Sequence, residues 1–314
     1  MIPEDARRVL TEGVLCYAAA PGADAPHVTP VVFALEEDRL WATTARRSRK
    51  ARLWRERPDG AGLVRAGDRA VVFRGRVDLY DLLDPSSWPR SVLRSPLLTR
   101  AALRFSRKNA RFFAGYARDA YRVPLGWTPP GRVFLSLAME SGALLDLPRG
   151  TVLAAWGSTE RGLASEASFR RLPSGGAPDA GLPANLREAL GSEGEGALAV
   201  GSGRATVLPA RWRRSEDEGA YYAVVPTAFL ELANVGARAP AALVLDRASR
   251  WRASRMLGVQ LRGEARVFLP ERLRSGRASV VERSGAGEGE AAIRLRPDRV
   301  VWWRGWTSGS LGGR

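Results

Sequence analysis

The stretch Phe73-Arg74-Gly75-Arg76-Val77 decides the fold, because the second half of the chain contains a related stretch, Leu261-Arg262-Gly263-Glu264-Ala265-Arg266-Val267. Two further pairs of stretches repeat in the same order: residues 2–10 with 182–190, and residues 130–133 with 297–300. A repeat of this length indicates a duplicated domain rather than a solenoid. Two such domains in one chain are able to pack as an internal pseudo-dimer with a ligand in the shared seam.

Composition limits the classes of function. The 314 residues suffice for two domains of ordinary size, and a hydrophobic content of 45% suffices for two cores. Cys16 and His27 are the only residues of their types, which excludes an internal disulfide and predicts that the chain holds no metal. No signal peptide and no apolar run of membrane-spanning length are evident, so the sequence predicts a cytoplasmic protein.

The formal net charge of +16 rests almost entirely on arginine, since Lys50 and Lys108 are the only lysines. The arginines are scattered along the chain instead of forming a block. This pattern predicts neither a nucleic-acid partner nor a membrane partner. It favours a small-molecule substrate that meets a local basic pocket.

Short apolar stretches separated by turn residues fill the start of the chain, which is typical of a barrel rather than an open parallel sheet. Apolar side chains then recur at helical spacing over residues 85–122, which predicts a helical insertion that the second copy mostly lacks. A stretch rich in Pro, Gly and Ser at 173–179 predicts a linker. The predicted organisation is an N-terminal barrel over 1–146, a connecting segment over 147–181 and a C-terminal barrel over 182–314.

Four motifs of the first half support a family resemblance by their order: Val28-Thr29-Pro30-Val31, Leu40-Trp41-Ala42-Thr43-Thr44, Ser48-Arg49-Lys50 and Phe73-Arg74-Gly75-Arg76-Val77. Because of these motifs, residues 1–145 resemble the pyridoxamine 5'-phosphate oxidase superfamily of flavin-binding split barrels. Residues 182–311 resemble it more faintly. The resemblance implies barrels that pair as dimers with FMN in the seam. The expected fold is mainly β: two tandem six-stranded split β-barrels with flanking helices, packed as an intrachain pseudo-dimer. A further homodimer stays open.

The strongest local signal for a cofactor lies where a strand ends and a helix begins, at Thr43, Thr44, Ser48, Arg49 and Lys50. Hydroxyl groups, cations and the free N–H groups of a helix start are what a phosphate site needs. The resemblance implies that an FMN phosphate lies against this segment. The alternative is an exposed helix start with Ser48 as its N-cap.

The counterpart of this segment in the second copy is Ala223 to Leu232, which lacks the basic residues and adds Glu231. We therefore expect at most one seam to hold a phosphorylated cofactor, with the second half supplying walls. The remaining predicted cofactor residues are Pro30, Val31, Arg74, Trp302 and Trp303. The tryptophans are adjacent on a strand, so one faces in and one out, and core packing is the alternative role.

Three residues keep alternative interpretations. Arg74 and Arg262 occupy the same place in each repeat, which favours a structural role such as a cross-domain ion pair over cofactor binding. His27 is either a surface residue or a donor to a substrate or flavin oxygen.

The predicted function is that of an FMN-binding split-barrel protein, a flavin-dependent oxidoreductase whose cofactor phosphate is held by the first repeat at the seam with the second. A cofactor that carries the redox chemistry suits a chain so poor in His and Cys, and no catalytic residue is assigned. The alternatives are a deazaflavin-dependent reductase of the same fold and a non-catalytic split-barrel protein that binds a ligand or no cofactor. The sequence does not identify the substrate.

Overall fold

The computed structural model describes residues 1–81, 83–118, 131–157, 182–201, 203–247, 253–269 and 278–312. Within these ranges the chain forms two closed antiparallel barrels, one from each half. The strands of the first half are β1 (Leu15–Ala20), β2 (His27–Glu36), β3 (Arg39–Ala45), β4 (Asp59–Ala66), β5 (Arg69–Tyr80), β6 (Arg132–Asp146) and β7 (Thr151–Trp156). Those of the second half are β8 (Glu193–Val200), β9 (Thr206–Ser215), β10 (Ala220–Pro226), β11 (Arg238–Arg247), β12 (Leu257–Phe268), β13 (Glu290–Arg304) and β14 (Thr307–Gly312).

The two barrels have the same topology. The first runs β3-β2-β1-β4-β5-β6 and closes through a β3–β6 pairing, and β7 adds to the outer side of β6. The second runs β10-β9-β8-β11-β12-β13, closes through β10–β13, and carries β14 on β13. The mainly β fold with two six-stranded barrels and flanking helices is therefore confirmed. Because β7 pairs with β6, the start of the predicted connecting segment belongs to the first sheet; the predicted linker at 173–179 lies outside the described residues.

The motif that repeats in the sequence forms the same irregularity in both barrels. The pairing register shifts between Arg74 and Gly75 in β5, and between Arg262 and Gly263 in β12. A Cβ on Gly75 would collide with the carbonyl of Ala138, and one on Gly263 with the carbonyl of Arg296. Glycine is needed at both places because the bulge brings two backbones into contact.

Helices flank the barrels. The first half has α1 (Glu4–Glu12) and α2 (Arg49–Glu56), followed by α3 (Trp88–Leu93), α4 (Ser95–Lys108) and α5 (Ala110–Arg118). The second half has α6 (Ala184–Leu190), α7 (Thr227–Leu230) and α8 (Ala278–Ser284). The helical insertion predicted over 85–122 is thus present as α3 to α5, and its last residues lie outside the described ranges. Only α8, of seven residues, is described at the corresponding place between β12 and β13.

The barrels share one hydrophobic cluster, which makes the chain an internal pseudo-dimer. Val28, Leu63 and Val72 of the first barrel belong to the same buried cluster as Leu208 and Leu243 of the second. Alternation along the strands explains the arrangement, because one face of each strand fills its own barrel and the other meets the partner barrel. No helix of the described residues has the length and apolar character that crossing a bilayer requires.

Candidate functional site

The hydroxyl groups of the predicted phosphate segment are engaged in local hydrogen bonds. Ser48 is the N-cap of α2: its Oγ accepts from the N–H of Ala51 at 3.1 Å and lies 3.1 Å from Thr44 Oγ1. Thr43 Oγ1 accepts from Arg132 Nε at 2.9 Å. The helix-cap interpretation of Ser48 is therefore correct. The role of Thr43, Thr44 and Ser48 in cofactor binding stays a prediction.

Lys50 points into the first barrel. Its side chain is 2% exposed, and its Nζ donates to the carbonyl of Thr29 at 3.4 Å and lies 5.6 Å from the centre of the Trp54 ring. Burial lowers the pKa of this ammonium group to about 7. Its contact with a cofactor phosphate also stays a prediction, and the geometry instead gives it a place in the barrel interior.

Arg49 lies across the seam from two arginines of the second barrel, Arg262 of β12 and Arg299 of β13. We call Arg49, Arg262 and Arg299, with His27 and Gln260, the seam cluster. Arg262 and Arg299 are direct partners in the β12–β13 register, an arrangement that is unfavourable for like charges. Burial, then the charge of Arg49 and then that of Arg299 together lower the pKa of Arg262 to about 10. Burial also lowers the pKa of Arg49, followed by the charge of Arg299.

Several polar atoms of the seam cluster are buried and unsatisfied. The Nε atoms of all three arginines, Nδ1 of His27 and Oε1 of Gln260 have no hydrogen-bond partner in the described part of the chain. Other atoms of the same side chains anchor the cluster: Arg262 donates to the carbonyl of Ala25 at 2.9 Å, and Gln260 to that of Val28 at 2.7 Å. Both bonds cross the seam, so the interface itself holds the unsatisfied donors in place.

The seam cluster carries excess positive charge. Among the described residues no carboxylate lies within 4 Å of the three guanidinium groups, although Asp24 and Asp298 attract Arg262 at longer range. Three cations against two carboxylates leave the cluster positive. Buried donors without a partner and cations without a close counter-ion are the features of an anion-binding site.

His27 is buried, so its assignment to the surface was wrong. It is 8% exposed, and burial lowers its pKa to about 3, followed by the charges of Lys50 and Arg262. The imidazole is therefore neutral at pH 7, with one ring N–H available to donate a hydrogen bond. The feature of the sequence that could have indicated this burial is the position of His27 at the start of β2, a strand that faces the other half.

The two predicted tryptophans face opposite ways. Arg299, Val301 and Trp303 occupy alternate positions of β13 and therefore share one face. Trp303 covers Gly258 beside Asp246 of β11, whereas Trp302 covers Gly309 of β14. At about 3.3 Å per residue, Trp303 lies about 13 Å along the strand from Arg299. Trp303 is therefore on the same face as the seam cluster, and Trp302 is not.

The remaining predicted cofactor residues lie on β2 and β5. Pro30 pairs with Tyr17 of β1 and is half-buried, and Val31 packs against the core of the first barrel. Arg74 donates a hydrogen bond to the carbonyl of Leu232, in the second half. Arg262 makes the matching bond to the carbonyl of Ala25, so both arginines join the barrels through backbone carbonyls.

Arg74 also lines a small cavity that differs in charge from the seam cluster. The cavity has a volume of about 140 Å³, and Asp59, Glu140 and Arg204 are among its other walls. Glu140 lies in the β5–β6 bulge at the place that Asp298 has in β13. Two carboxylates balance two arginines here, so an anion gains less than at the seam cluster. The expectation that at most one seam holds a phosphorylated cofactor stays a prediction.

Asp246 and Tyr17 form a buried contact across the seam. The Tyr17 hydroxyl donates to Asp246 Oδ1 at 3.0 Å, while Oδ2 of this carboxylate is buried without a partner among the described residues. Burial raises the pKa of Asp246 to about 6, against a smaller lowering by the Tyr17 hydrogen bond. Burial raises the pKa of Tyr17 as well, so the hydroxyl keeps its proton.

Replacing Asp246 by Asn should stabilise the chain at high pH. The folded-state pKa of Asp246 lies above its unfolded value, so its contribution to stability is greatest below pH 4 and is lost as the pH rises through 6. We expect Asp246→Asn to raise the free energy of unfolding by about 1–3 kcal/mol at pH 8 and by less at pH 5. Urea denaturation at both pH values measures this. The exposed Asp68→Asn control should show no such difference between pH values, and an equal gain at both for Asp246→Asn would contradict the assignment.

Comparison with known proteins gives matches at the level of structure. No family model and no curated protein matches this sequence. An FAD-binding protein from Mesorhizobium loti is 17% identical with a TM-score of 0.34, and the match covers 46% of this chain and 94% of that one. A pyridoxamine 5'-phosphate oxidase-related, FMN-binding protein from Nostoc punctiforme is 17% identical with a TM-score of 0.32, covering 46% and 80%. An F420 reductase is 21% identical with a TM-score of 0.30, covering 46% and 99%.

Each of these matches spans about half of this chain and most of the other protein, as a single barrel does. At these values of identity and TM-score the assignment of the fold rests on the strand pairing of the chain itself. The chain is a tandem pair of closed six-stranded antiparallel barrels.

Proposed function

We propose that the chain binds FMN at the seam between its two barrels and is a flavin-dependent oxidoreductase. The observation that carries this proposal is the seam cluster, in which Arg49 of the first barrel meets Arg262 and Arg299 of the second without a close counter-ion. The residues that are present suit a phosphate, because each arginine has a buried Nε donor that no other described residue accepts from.

Repulsion among the arginines of the seam cluster explains why the cluster suits an anion. Burial first, and then repulsion between the neighbouring guanidinium groups, lowers the pKa values of Arg49 and Arg262. A phosphate dianion would offset that repulsion and accept the unsatisfied hydrogen bonds. The neutral His27 would add a donor without adding charge. The first half contributes Arg49 and the second contributes Arg262 and Arg299, so the seam cluster needs both halves of the chain.

The other half-site lacks these features. At the place of Arg49, the second barrel has the short helix α7, preceded by Val224, Val225 and Pro226. We therefore propose one cofactor per chain, with its phosphate at the seam cluster. Trp303 shares the face of Arg299 and supplies an aromatic surface on the ring side.

The residue types indicate which tasks a bound flavin would perform and which the chain would perform. A bound flavin supplies hydride and electron transfer. The chain holds the phosphate through Arg49, Arg262 and Arg299, orients the cofactor against both barrels and excludes water at the seam. Under this proposal the substrate is a small molecule that reaches the cofactor from the solvent side.

Ligand titration tests the proposal with a matched pair of flavins. FMN and riboflavin share the ring and the ribityl chain, and differ in the phosphate. We expect FMN to bind at least tenfold more tightly than riboflavin, because charge-assisted hydrogen bonds to phosphate are worth about 1.5–3 kcal/mol each. Quenching of flavin fluorescence by the purified chain measures both constants.

The same assay separates the alternatives. Tighter binding of the deazaflavin coenzyme F420 than of FMN would make the chain a deazaflavin protein of the same fold. Failure of FMN, F420 and riboflavin to bind would overturn the cofactor and with it the oxidoreductase function. Equal affinity for FMN and riboflavin would show that the seam cluster does not hold a phosphate.

A further inference from the structure

The helical insertion, residues 83–118, exposes an unusual number of large apolar side chains. Eight such side chains are exposed in the described part of the chain, and six of them lie in this insertion. Those six, with their exposed fractions, are Leu83 (69%), Trp88 (53%), Val92 (73%), Leu93 (83%), Leu103 (58%) and Phe113 (38%). Clusters of exposed apolar residues mark an interaction surface, whereas single ones are ordinary.

The insertion is also strongly basic. It contains eight Arg and Lys residues and a single carboxylate, Asp84, so its net charge is +7 out of +16 for all 314 residues. On α4, Arg100, Leu103, Arg104 and Arg107 recur at spacings of three and four residues, which brings cations and an apolar side chain onto one face.

The insertion is firmly attached to the first barrel. Ala101 and Phe105 of α4 are buried against it, and the ring of Phe105 packs edge-on against Phe134 at 5.8 Å. Arg94 is held by Asp78 at 2.7 Å, and Arg104 by Glu36 at 2.9 Å. The inner face thus fixes the orientation of the helices, and the outer side chains are presented on a rigid base.

We propose that this insertion docks the protein on the surface of an anionic lipid membrane. The side chains of Trp88, Val92 and Leu93 protrude from the short helix α3 beside Arg94, and such a mixture suits the boundary between headgroups and acyl chains. Arg94, Arg100 and Arg104 pair with Asp78, Glu37 and Glu36 of the first barrel, and the other basic residues of the insertion leave an excess of positive charge that complements an anionic leaflet. This surface proposal replaces the expectation, drawn from the scattered arginines, that the chain has no membrane partner.

The expected strength of docking follows from two contributions. Each basic residue near an anionic leaflet increases partitioning by roughly fivefold, and added salt removes this part. The exposed apolar side chains contribute through the area that they withdraw from water, and salt does not remove that part. Binding should therefore need both anionic lipid and the apolar side chains of α3.

Vesicle sedimentation tests the proposal with the full chain. We expect the chain to sediment with vesicles of phosphatidylcholine and phosphatidylglycerol, and at least about tenfold less with vesicles of phosphatidylcholine alone. The triple variant Trp88→Ser, Val92→Ser, Leu93→Ser should lower partitioning to anionic vesicles at least about tenfold. The three positions are exposed, so the triple variant should fold as the unaltered chain does, and an unchanged thermal unfolding profile checks this.

A matched control and a competing ligand complete the design. Leu153→Ser removes an apolar side chain that is 45% exposed on β7, outside the insertion, and should bind vesicles as the unaltered chain does. Undiminished binding by the triple variant, or binding to a DNA duplex with none to anionic vesicles, would overturn the proposal. The second outcome would assign the surface to nucleic acid.

Discussion

Replacing Arg49 and Arg299 together by Gln should lower the affinity for FMN by at least about a hundredfold, because under the proposed function two charge-assisted hydrogen bonds to the phosphate would be lost. Each substitution alone should cost about tenfold or more. Glutamine keeps a polar side chain, although a shorter one, while removing the charge, and neither arginine is completely buried, so the fold should persist. Fluorescence titration with FMN measures the loss, and thermal unfolding checks the fold.

Riboflavin is the decisive control for this double variant. Its affinity should stay within about threefold of the value for the unaltered chain, since it has no phosphate to lose. Arg149→Gln removes an exposed arginine whose described partner is Asp146 at 3.1 Å, and should leave both affinities unchanged. A parallel loss of FMN and riboflavin binding would show that Arg49 and Arg299 support the structure of the seam rather than the phosphate.

The seam cluster shows how far a sequence predicts a site that two domains share. Arg49 was predicted because its neighbours at a helix start already suggest an anion. Arg262 was noticed for its repeated position, and Arg299 was missed. The sequence match of residues 130–133 with 297–300 was wrong, because it equated Arg299 with Arg132. In the strand register Ser141 lies opposite Arg74 in the first barrel, and Arg299 lies opposite Arg262 in the second. Which residues lie opposite each other across the bulge is known only once the strands are seen paired in the structure.

The burial of Lys50 has a signal that the sequence does contain. Lys50, Ala51 and Trp54 are the buried residues of α2, and positions 50 and 54 lie on one face of a helix. A lysine on the same face as a tryptophan is a candidate for the inner side. In the sequence, the motif Ser48-Arg49-Lys50 suggested the same role, phosphate binding, for Arg49 and Lys50. Adjacent helix positions point in different directions, so the two cations do not share one environment.

The duplicated fold was predictable because the repeats follow the same topology to the level of one bulge. Gly75 and Gly263 each allow the close approach that the bulge requires, and this requirement is visible as a repeated Arg-Gly pair. The outer face of the insertion was less predictable. Helical spacing predicted its helices, but spacing alone does not show that Val92 and Leu93 stay exposed, because that depends on which face the barrel covers.

The seam is a shared core, and its disruption should affect both halves. Leu63 of β4 is completely buried, and it belongs to the cluster that also contains Val28 and Leu243. A carboxylate at this position would be buried without a partner, which costs several kcal/mol against a typical stability of about 5–15 kcal/mol. The second barrel depends on the same apolar contact, since its own strands present Leu243 and Val244 to the cluster.

Leu63→Asp should therefore expose amide hydrogens in the second barrel as well as in the first, although the substitution lies in the first. Hydrogen exchange followed by mass spectrometry measures this, and peptides from β11 report on the second barrel. We expect β4 and β11 to lose protection together, because one cooperative unit contains both. Leu153→Asp, at a half-exposed position of β7, is the matched control and should leave β11 protected. Loss of protection in β4 with full protection in β11 would show that the barrels fold independently, and that the seam is a contact between two stable domains.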